Sequence, residues 1–452
     1  MDNQVNAGSQ KISRWFDEGT FVQFGAGIRK NGEPEGLLCG YGAVEGKLVY
    51  AFLQDADRNS GALDDRGADK LSRLYETAVS NGAPVIGIFS SSGVNVYDGT
   101  CAMSAYGRFM KQVSKASGLI PQIAVIDGVC AGSSAAIAAM MDFIVFVKDT
   151  GKLYVTSPFI LGGNTGTAEA GESSGLVAKT VETTGEAVTF VRQLVSILPS
   201  HAGSEPDENE IKDDINRKIV ETTEVGQLIS ELADSGEFVR VYESYGPELI
   251  TGFACLGGTL TGILAGDASV DEGRLTPCGA RKAARMVSFC DCFDIPVITL
   301  VDTAGIKQDA SSEKAPFAAE LGRLSAAYAG ATCPLITVYI GKAYGTGFVV
   351  MGSRALGADV VWSLPGATFG ILSPEASVAF LDQEKLNLGT SREELIRDWT
   401  EKHASADVAA MDGSVDEIIP CRELRQRLIS AIYMTSEKGR AVEFGKHDNM
   451  PL

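Results

Sequence analysis

Two short stretches of this chain carry the residue types that hold a developing oxyanion: "VIDGVCAGSS" at 125–134 and "VYIGKAYGTG" at 338–347. In each, an apolar run with strand character enters a loop of small residues that opens a helix. Such a junction leaves backbone N–H groups unpaired, and the helix dipole adds partial positive charge there. Gly or Ala suits the position because a bulky side chain blocks close approach of a reacting oxygen. The first turn offers Gly132 and Ser133 after Ala131, and the second offers Gly345, Thr346 and Gly347 after Ala343 and Tyr344. Gly128 and Gly341 lie 213 residues apart, as do Gly132 and Gly345. The bland reading is that these glycines only let a helix pack closely on a strand, and one such pattern alone is weak. Two at equivalent places favour a paired site.

Other chemistry finds little support. Of the three histidines, His201 sits in an acidic stretch, His403 lies late in the chain and His447 near its end. None stands beside an apolar strand end, which argues against a histidine general base. Ser90, Ser91, Ser92, Ser133 and Ser134 crowd the first turn, but a serine triad needs a base within hydrogen-bond reach and none is visible. Asp98 in "VYDG" and Asp302 in "LVDTAG" follow apolar strands. Each has two readings, ligand contact or capping of the adjacent turn, and capping is favoured.

The elements that must position these turns are themselves repeated. "APVIGIFSSSG" (83–93) matches "IPVITLVDTAG" (295–305), and "GKLVYAF" (46–52) matches "GTLTGIL" (258–264), both offset by 212. "DEGTFVQF" (17–24) matches "DSGEFVRV" (234–241) with an offset of 217. Offsets that drift by a few residues reflect insertions in surface loops, and matches in one order mean tandem duplication. Each repeat reads as strand, helix, strand, helix, strand, small-residue turn, helix, with helices expected over 66–81, 102–117, 280–294 and 316–331. That alternation implies βαβ units with buried, mainly parallel strands. The acidic "HAGSEPDENE" (201–210) is expected to link the halves, giving domains of 1–205 and 206–452.

Composition bounds the class. The 452 residues are 45% hydrophobic and 21% charged, with a net charge of −19, which fits a globular core and speaks against a nucleic-acid partner. Nine scattered cysteines include one C-x-C pair, Cys290 and Cys292, and no C-x-x-C. Reduced thiols and no zinc ribbon are expected. MDNQVNAGSQ has no secretory h-region, and the apolar run 119–147 is broken by Pro121, Asp127 and Asp142. A cytoplasmic protein is expected.

At this point the combination is recognisable. "ITGFACLGG", "ARKAARMVSFCDCFDIPVITLVDTAG", "ATCPLITVYIGKAYGTGFVVMGSRALGADVVW" and "DGSVDEIIPCRELRQRL" closely resemble the biotin-dependent acyl-CoA carboxyltransferases. These are subunits of acyl-CoA carboxylases and of sodium-pumping acyl-CoA decarboxylases. The first repeat agrees through "GYGAVEGKLVYAFLQD", "NGAPVIGIF", "SGLIPQIAVIDGVCAG" and "DFIVFV", so the resemblance runs from about Arg14 to about Leu428. It implies an α/β fold of two tandem crotonase-like domains. It also implies a homo-oligomer, hexamer or dimer, with the N-terminal domain of one subunit facing the C-terminal domain of its partner. The N-terminal domain would bind acyl-CoA through Ser92, Gly93, Val94 and Ala131. The C-terminal domain would bind biotin through Ala304, Gly305, Ala343, Tyr344, Gly345 and Val349.

The resemblance further implies that Gly132–Ser133 hold the thioester carbonyl as it enolises and that Thr346–Gly347 hold the ureido carbonyl of biotin. Biotin itself then takes the α-proton, which fits the scarcity of His. Where the family has Gly-Gly and Gly-Ala, this chain has Gly132-Ser133 and Thr346-Gly347. The family's "SGGAR-Q-EG" loop is "SSGVNVYDG" (91–99), its "FGGS" is "NSGA" (59–62), and Val349 stands where propionyl-type enzymes often carry Asp. The stretch 159–185 is also unlike the family's. No biotinylation signature is present, since "FMKQ" (109–112) falls in an expected helix, and there is no P-loop or ATP-grasp pattern. Biotin must arrive on a separate carrier protein, with a biotin carboxylase or a membrane decarboxylase subunit as further partner, the latter placing the chain at a membrane surface. No metal is expected. The reaction direction stays open: carboxylation, or decarboxylation as the α subunit of a methylmalonyl-CoA or glutaconyl-CoA decarboxylase. A biotin-independent crotonase-type enzyme and a divergent non-catalytic subunit are the competing classes.

Overall fold

Strands and helices alternate in both halves in the order the duplication requires. The computed structural model describes residues 2–30, 33–34, 36–163, 165–204, 211, 213–314 and 316–438. Most of the expected linker, the boundary at 205/206 and His447 lie outside the described residues. Two compact units result: Met1–Asp207 with Val241–Tyr245, and Glu208–Arg240 with Gly246–Leu452.

The first sheet contains β1 (Val22–Phe24), β2 (Leu37–Val44), β3 (Lys47–Gln54), β4 (Val85–Ser91), β5 (Gln122–Ala131), β6 (Phe143–Val147), β7 (Lys152–Tyr154) and β8 (Lys179–Val181). Their order is β1-β2-β3-β4-β5-β6-β8, with β7 beside β5. The second sheet contains β9 (Val239–Val241), β10 (Leu249–Leu256), β11 (Thr259–Gly266), β12 (Val297–Thr303), β13 (Leu335–Tyr344), β14 (Val360–Ser363), β15 (Thr368–Gly370) and β16 (Glu417–Ile418). It repeats the same order, β9-β10-β11-β12-β13-β14-β16, with β15 beside β13. In each unit an antiparallel hairpin (β2–β3; β10–β11) leads into parallel strands. Between β4 and β5 the register slips from Phe89 to Ser91, and between β12 and β13 it slips from Val301 to Thr303. A bulge of this kind re-aims a strand end, and here it occurs where the site loops begin.

The four helices with expected spans lie within a few residues of them: α1 (Asp65–Ser80), α2 (Gly99–Ala116), α5 (Pro277–Cys292) and α6 (Phe317–Gly330). Each small-residue turn opens a short helix, α3 (Ser133–Met140) and α7 (Gly345–Val350), and a later helix in each unit, α4 (Thr184–Ile197) and α8 (Leu424–Met434), had no expected counterpart. Side-chain caps start α1 and α5: Asp64 accepts from the Gly67 N–H at 2.9 Å and Thr276 from the Gly279 N–H at 3.1 Å, each satisfying an orphan donor. Apolar periodicity then buries Leu71, Leu74, Tyr75 and Ala78 of α1 against the sheet. The ring of Phe52 packs edge-on to Phe89 at 5.4 Å and to Phe109 at 5.3 Å, and Gly87 leaves room because a Cβ there would strike the Phe52 ring.

One clamp is also duplicated. Asp17 accepts the Gly46 N–H at 3.0 Å and pairs with Arg192 at 2.5 Å. Asp234 accepts the Gly257 and Gly258 N–H groups at 2.9 and 2.8 Å and pairs with Arg425 at 2.5 Å. Each clamp fastens a hairpin turn to a late helix, α4 or α8. The stretch 159–185, expected to differ from the family, spans most of the short helix Pro158–Leu161, then Ala168–Ser173, β8 and the start of α4.

Candidate active site

The two small-residue turns form at the ends of the long strands β5 and β13, and the structure redraws their limits. Gly128 and Gly341 lie inside these strands, not in the turns. Their role is clearance, since a Cβ would strike the side chain of Ser90 at the first and of Asp302 at the second. The turning residues are Gly132 (φ +59°) and Gly345 (φ +51°), a backbone region that favours glycine. Each turn is pinned by a short parallel neighbour whose last pairs are Ala131 with Tyr154 and Tyr344 with Gly370. The turns therefore align Gly132 with Gly345, Ser133 with Thr346, and Ser134 with Gly347.

This alignment corrects one expected donor. The Gly132 N–H is not open, because it donates to Tyr154 O at 2.9 Å. It cannot also serve an oxyanion, so Gly132 acts as the hinge. The N–H groups of Ser133 and Ser134 in the first turn, and of Thr346 and Gly347 in the second, have no partner among the described residues. They sit where a helix leaves its first donors unused. The third residue of each turn faces inward: Ser134 and Gly347 are buried, whereas Ser133 is half-buried and Thr346 exposed. At Gly347 a Cβ would lie 2.9 Å from Thr303 Cγ2 and 3.0 Å from Gly305 Cα. The second turn is thus built against the 303–305 loop, which brings Ala304 and Gly305 to it.

That loop is duplicated too. Gly93 N–H donates to Ser91 Oγ at 3.2 Å and Gly305 N–H to Thr303 Oγ1 at 3.1 Å, with φ near +113° and +110° at the two glycines. Ser92 N–H reaches Ser60 O at 3.2 Å and Ala304 N–H reaches Glu272 O at 3.0 Å. These carbonyls belong to two left-handed turns, Asn59-Ser60-Gly61 and Asp271-Glu272-Gly273, each with three consecutive residues at positive φ. Left-handed non-glycine residues cost about 1–2 kcal/mol each. Gly61 and Gly273 allow the close approach, since a Cβ on either would strike the carbonyl of Ser90 or Asp302. The spacing of the motifs carried no signal for these turns.

Electrostatics separate the sites. At the second, Lys342 Nζ binds Glu272 at 2.7 Å, Lys307 binds Asp271 at 2.7 Å and Arg274 binds Glu272 at 2.9 Å. The Lys342 hydrogen bond holds the Glu272 carboxyl below the usual range. Asp302 accepts the Lys342 N–H at 2.8 Å, as a turn-fixing residue does, yet burial pushes its carboxyl up. Asp98 makes no side-chain cap on α2. At the first site Val94 is exposed, next to Val96 and Tyr97 at 88% and 98% exposure. The buried Gln54 amide at the end of β3 has no partner among the described residues, another group that spacing did not reveal.

Among the described residues a serine triad does not assemble. Ser91 Oγ is engaged with Gly93, His201 contacts Ala202 O at 2.8 Å beside Gly82, and His403 packs on Trp399 at 4.6 Å. Among the described residues no side-chain hydrogen bond joins a His ring to a Ser hydroxyl. Nor, among them, is any group of three His, Cys, Asp or Glu side chains placed to hold a metal ion, or any helix long and apolar enough to cross a membrane.

Comparison with known proteins identifies the family of this fold. The model of the carboxyl transferase domain family matches residues 9–450. A putative propionyl-CoA carboxylase beta chain of Bacillus subtilis (strain 168) is 34% identical over 439 residues, covering 92% of this chain and 87% of its own. The methylmalonyl-CoA decarboxylase subunit alpha of Propionigenium modestum is 31% identical over 479 residues, covering 98% and 92%. The crystal structure of transcarboxylase 12S, a hexamer with methylmalonyl-coenzyme A and methylmalonic acid bound, superposes with a TM-score of 0.90 at 28% identity, covering 98% and 92%.

Proposed function

The chain belongs to the carboxyl transferase domain family and is a carboxyltransferase, and on that premise we propose that it moves a carboxyl group between carboxybiotin, borne by a separate carrier protein, and the α-carbon of an acyl-CoA thioester. The observation that carries this reading is the pair of equivalent glycine turns, each presenting two open backbone N–H groups.

The first turn receives the thioester. Ser133 and Ser134 N–H donate to its carbonyl oxygen as the α-carbon loses a proton and the enolate forms, with Ser92, Gly93, Val94 and Ala131 lining the approach. Each such donor is worth about 2.7–4 kcal/mol of barrier. The second turn fits the ureido ring of biotin. Gly347 packs directly on Thr303 and Gly305 with no room for a Cβ, which holds the turn on the 303–305 loop; Tyr344 and Gly345 lead into it, and the Thr346 and Gly347 N–H groups are the donors for the carbonyl oxygen. Bound carboxybiotin supplies the activated carboxyl group and the base for the α-proton. The side chains of Thr346 and Val349 wall its entrance. No side-chain base is assigned.

Exposed apolar residues follow the short strand that pins each turn: Val155, Phe159 and Ile160 after β7, and Ile371, Phe380 and Leu381 after β15. Exposed apolar surface of this extent marks an interaction face, and the partner we assign is a second copy of the chain, N-terminal half against C-terminal half. Carboxylation and decarboxylation use the same turns in opposite directions, so a biotin carboxylase or a membrane decarboxylase subunit as partner decides between them. The test is incubation of the pure chain with free biotin and methylmalonyl-CoA or malonyl-CoA. Biotin-dependent CO2 release supports the proposal, and its absence with both thioesters overturns it.

A further inference from the structure

The second turn rests on an aromatic cluster that the first lacks. Tyr339, in the middle of β13, is fully buried, and its hydroxyl has no hydrogen-bond partner among the described residues. Its ring stacks on Phe348 of α7 at 5.4 Å and 18°, and meets Phe369 of β15 edge-on at 5.0 Å and 73°. Phe348 and Phe369 close the triangle at 6.2 Å. The three rings thus join the strand that enters the turn, the helix that leaves it and the short strand that pins it. Phe348 directly follows Gly347. The corresponding positions of the first unit hold Ile126, Ala135 and Leu153.

The helices being held differ as well. Helix α7 has six residues, no side-chain cap, and a non-helical Met351 at its end (φ −90°, ψ 57°). A helix of that length has no stability of its own in water. Its direction, and with it the aim of the Thr346 and Gly347 N–H groups, must come from tertiary contacts. Helix α3 has eight residues and packs through Ala135, Ile137 and Ala138. Aromatic pairs add to area burial through fixed ring geometry, which suits a clamp.

We propose that the Tyr339–Phe348–Phe369 cluster is the positioning device of the second turn, fixing α7 so that the Thr346 and Gly347 N–H groups stay aimed at the carbonyl bound there. Tyr339 acts through Phe348 and touches no reacting atom. The ring, not the hydroxyl, does this, because a buried hydroxyl without a partner is a burden on stability. The inference rests on the functional reading above for the identity of the bound group, but not for the clamp itself.

The experiment therefore has two readouts on the full chain carrying Tyr339→Phe, Tyr339→Ile or Phe348→Ala, the last two importing first-unit residues. Amide hydrogen exchange is followed over 344–350 and over 131–138, and steady-state kinetics are measured with free biotin and methylmalonyl-CoA or malonyl-CoA as carboxyl donor. Tyr339→Phe is expected to keep both readouts within about twofold of the parent and to melt no lower. Tyr339→Ile and Phe348→Ala are expected to speed exchange over 344–350 about tenfold and leave 131–138 unchanged. Their kcat falls by a similar factor while KM for acyl-CoA holds. Unchanged exchange over 344–350 in whichever of these two variants folds overturns the clamp, and so does equal acceleration at both turns. A parent chain without biotin-dependent turnover overturns the functional reading instead, and the exchange data still decide the clamp.

Discussion

Asn95 donates to the side chain of Asn59 at 3.4 Å in the first unit, and at the corresponding place in the second unit Lys307 pairs with Asp271 at 2.7 Å. The same replacement recurs around the turns. Ser60, Ala62 and Val129 stand where the second unit has Glu272, Arg274 and Lys342. Left-handed turn, bulge, hydroxyl-bonded glycine loop and open N–H pair are otherwise common to both. The backbone frame of the turns was retained in both copies, while these rim positions diverged: Asn95, Ser60, Ala62 and Val129 are uncharged where the second unit has Lys307, Glu272, Arg274 and Lys342, and the ion pairs of the first unit fall elsewhere, at Arg58–Asp55 and Lys11–Asp57. Backbone donors need only a fixed chain path, so side chains around them can change without closing the open N–H pair.

The largest test of the comparison lies in the two clamps. Arg425 is fully buried and its partner Asp234 nearly so, whereas Arg192 and Asp17 are about a quarter exposed. Arg425→Ala strands a buried carboxylate and should cost about 3–5 kcal/mol, against about 1 kcal/mol for Arg192→Ala, whose partner water can solvate. Urea unfolding of the two variants checks this, and equal losses would break the asymmetry. Next comes Gly347→Val. With Thr303 and Gly305 already at contact, biotin-dependent turnover should fall about 100-fold or more, roughly 2.7 kcal/mol of barrier. Gly132→Val should match it through backbone strain, not contact. A dead Ser133→Ala beside a healthy Gly347→Val would sink the assignment of paired turns and restore a serine nucleophile.

Smaller effects sharpen the picture. Thr346 is exposed, so Thr346→Gly should stay within about tenfold of the parent, about 1.4 kcal/mol, with biotin saturating. The rim supplies the smallest effect. Glu272 is held below its usual value of 4.5 mainly by the Lys342 hydrogen bond. The stabilisation is therefore present above pH 4.5 and fades as pH falls through the lowered value. The pair is about half exposed, so Glu272→Gln should cost under about 1 kcal/mol at pH 7. The difference should vanish in acid, while Asn59→Ala shows no such pH dependence.

Much of this was legible along the chain. Fixed offsets near 212 exposed the duplication, apolar periodicity placed α1, α2, α5 and α6 within a few residues, and small residues after β5 and β13 marked both turns. These signals are local, since each depends on residues within one helix or strand or on self-comparison. The donor pair of the first turn was misplaced by one residue for the opposite reason. Gly132 loses its N–H to Tyr154, on a strand 22 residues further on, and nothing in "VCAGSS" announces that neighbour.

The sequence alone therefore determined the α/β alternation, the duplication and the two places where backbone donors collect, because residue type and spacing set strand, helix and glycine turn locally. Tertiary structure alone decided which N–H groups stay open, that Asn59, Ser60, Asp271 and Glu272 turn left-handed, and that Tyr339 meets Phe348 and Phe369. Each of these depends on chain segments brought together across the sheet, where a neighbouring strand claims one donor and leaves the next one free.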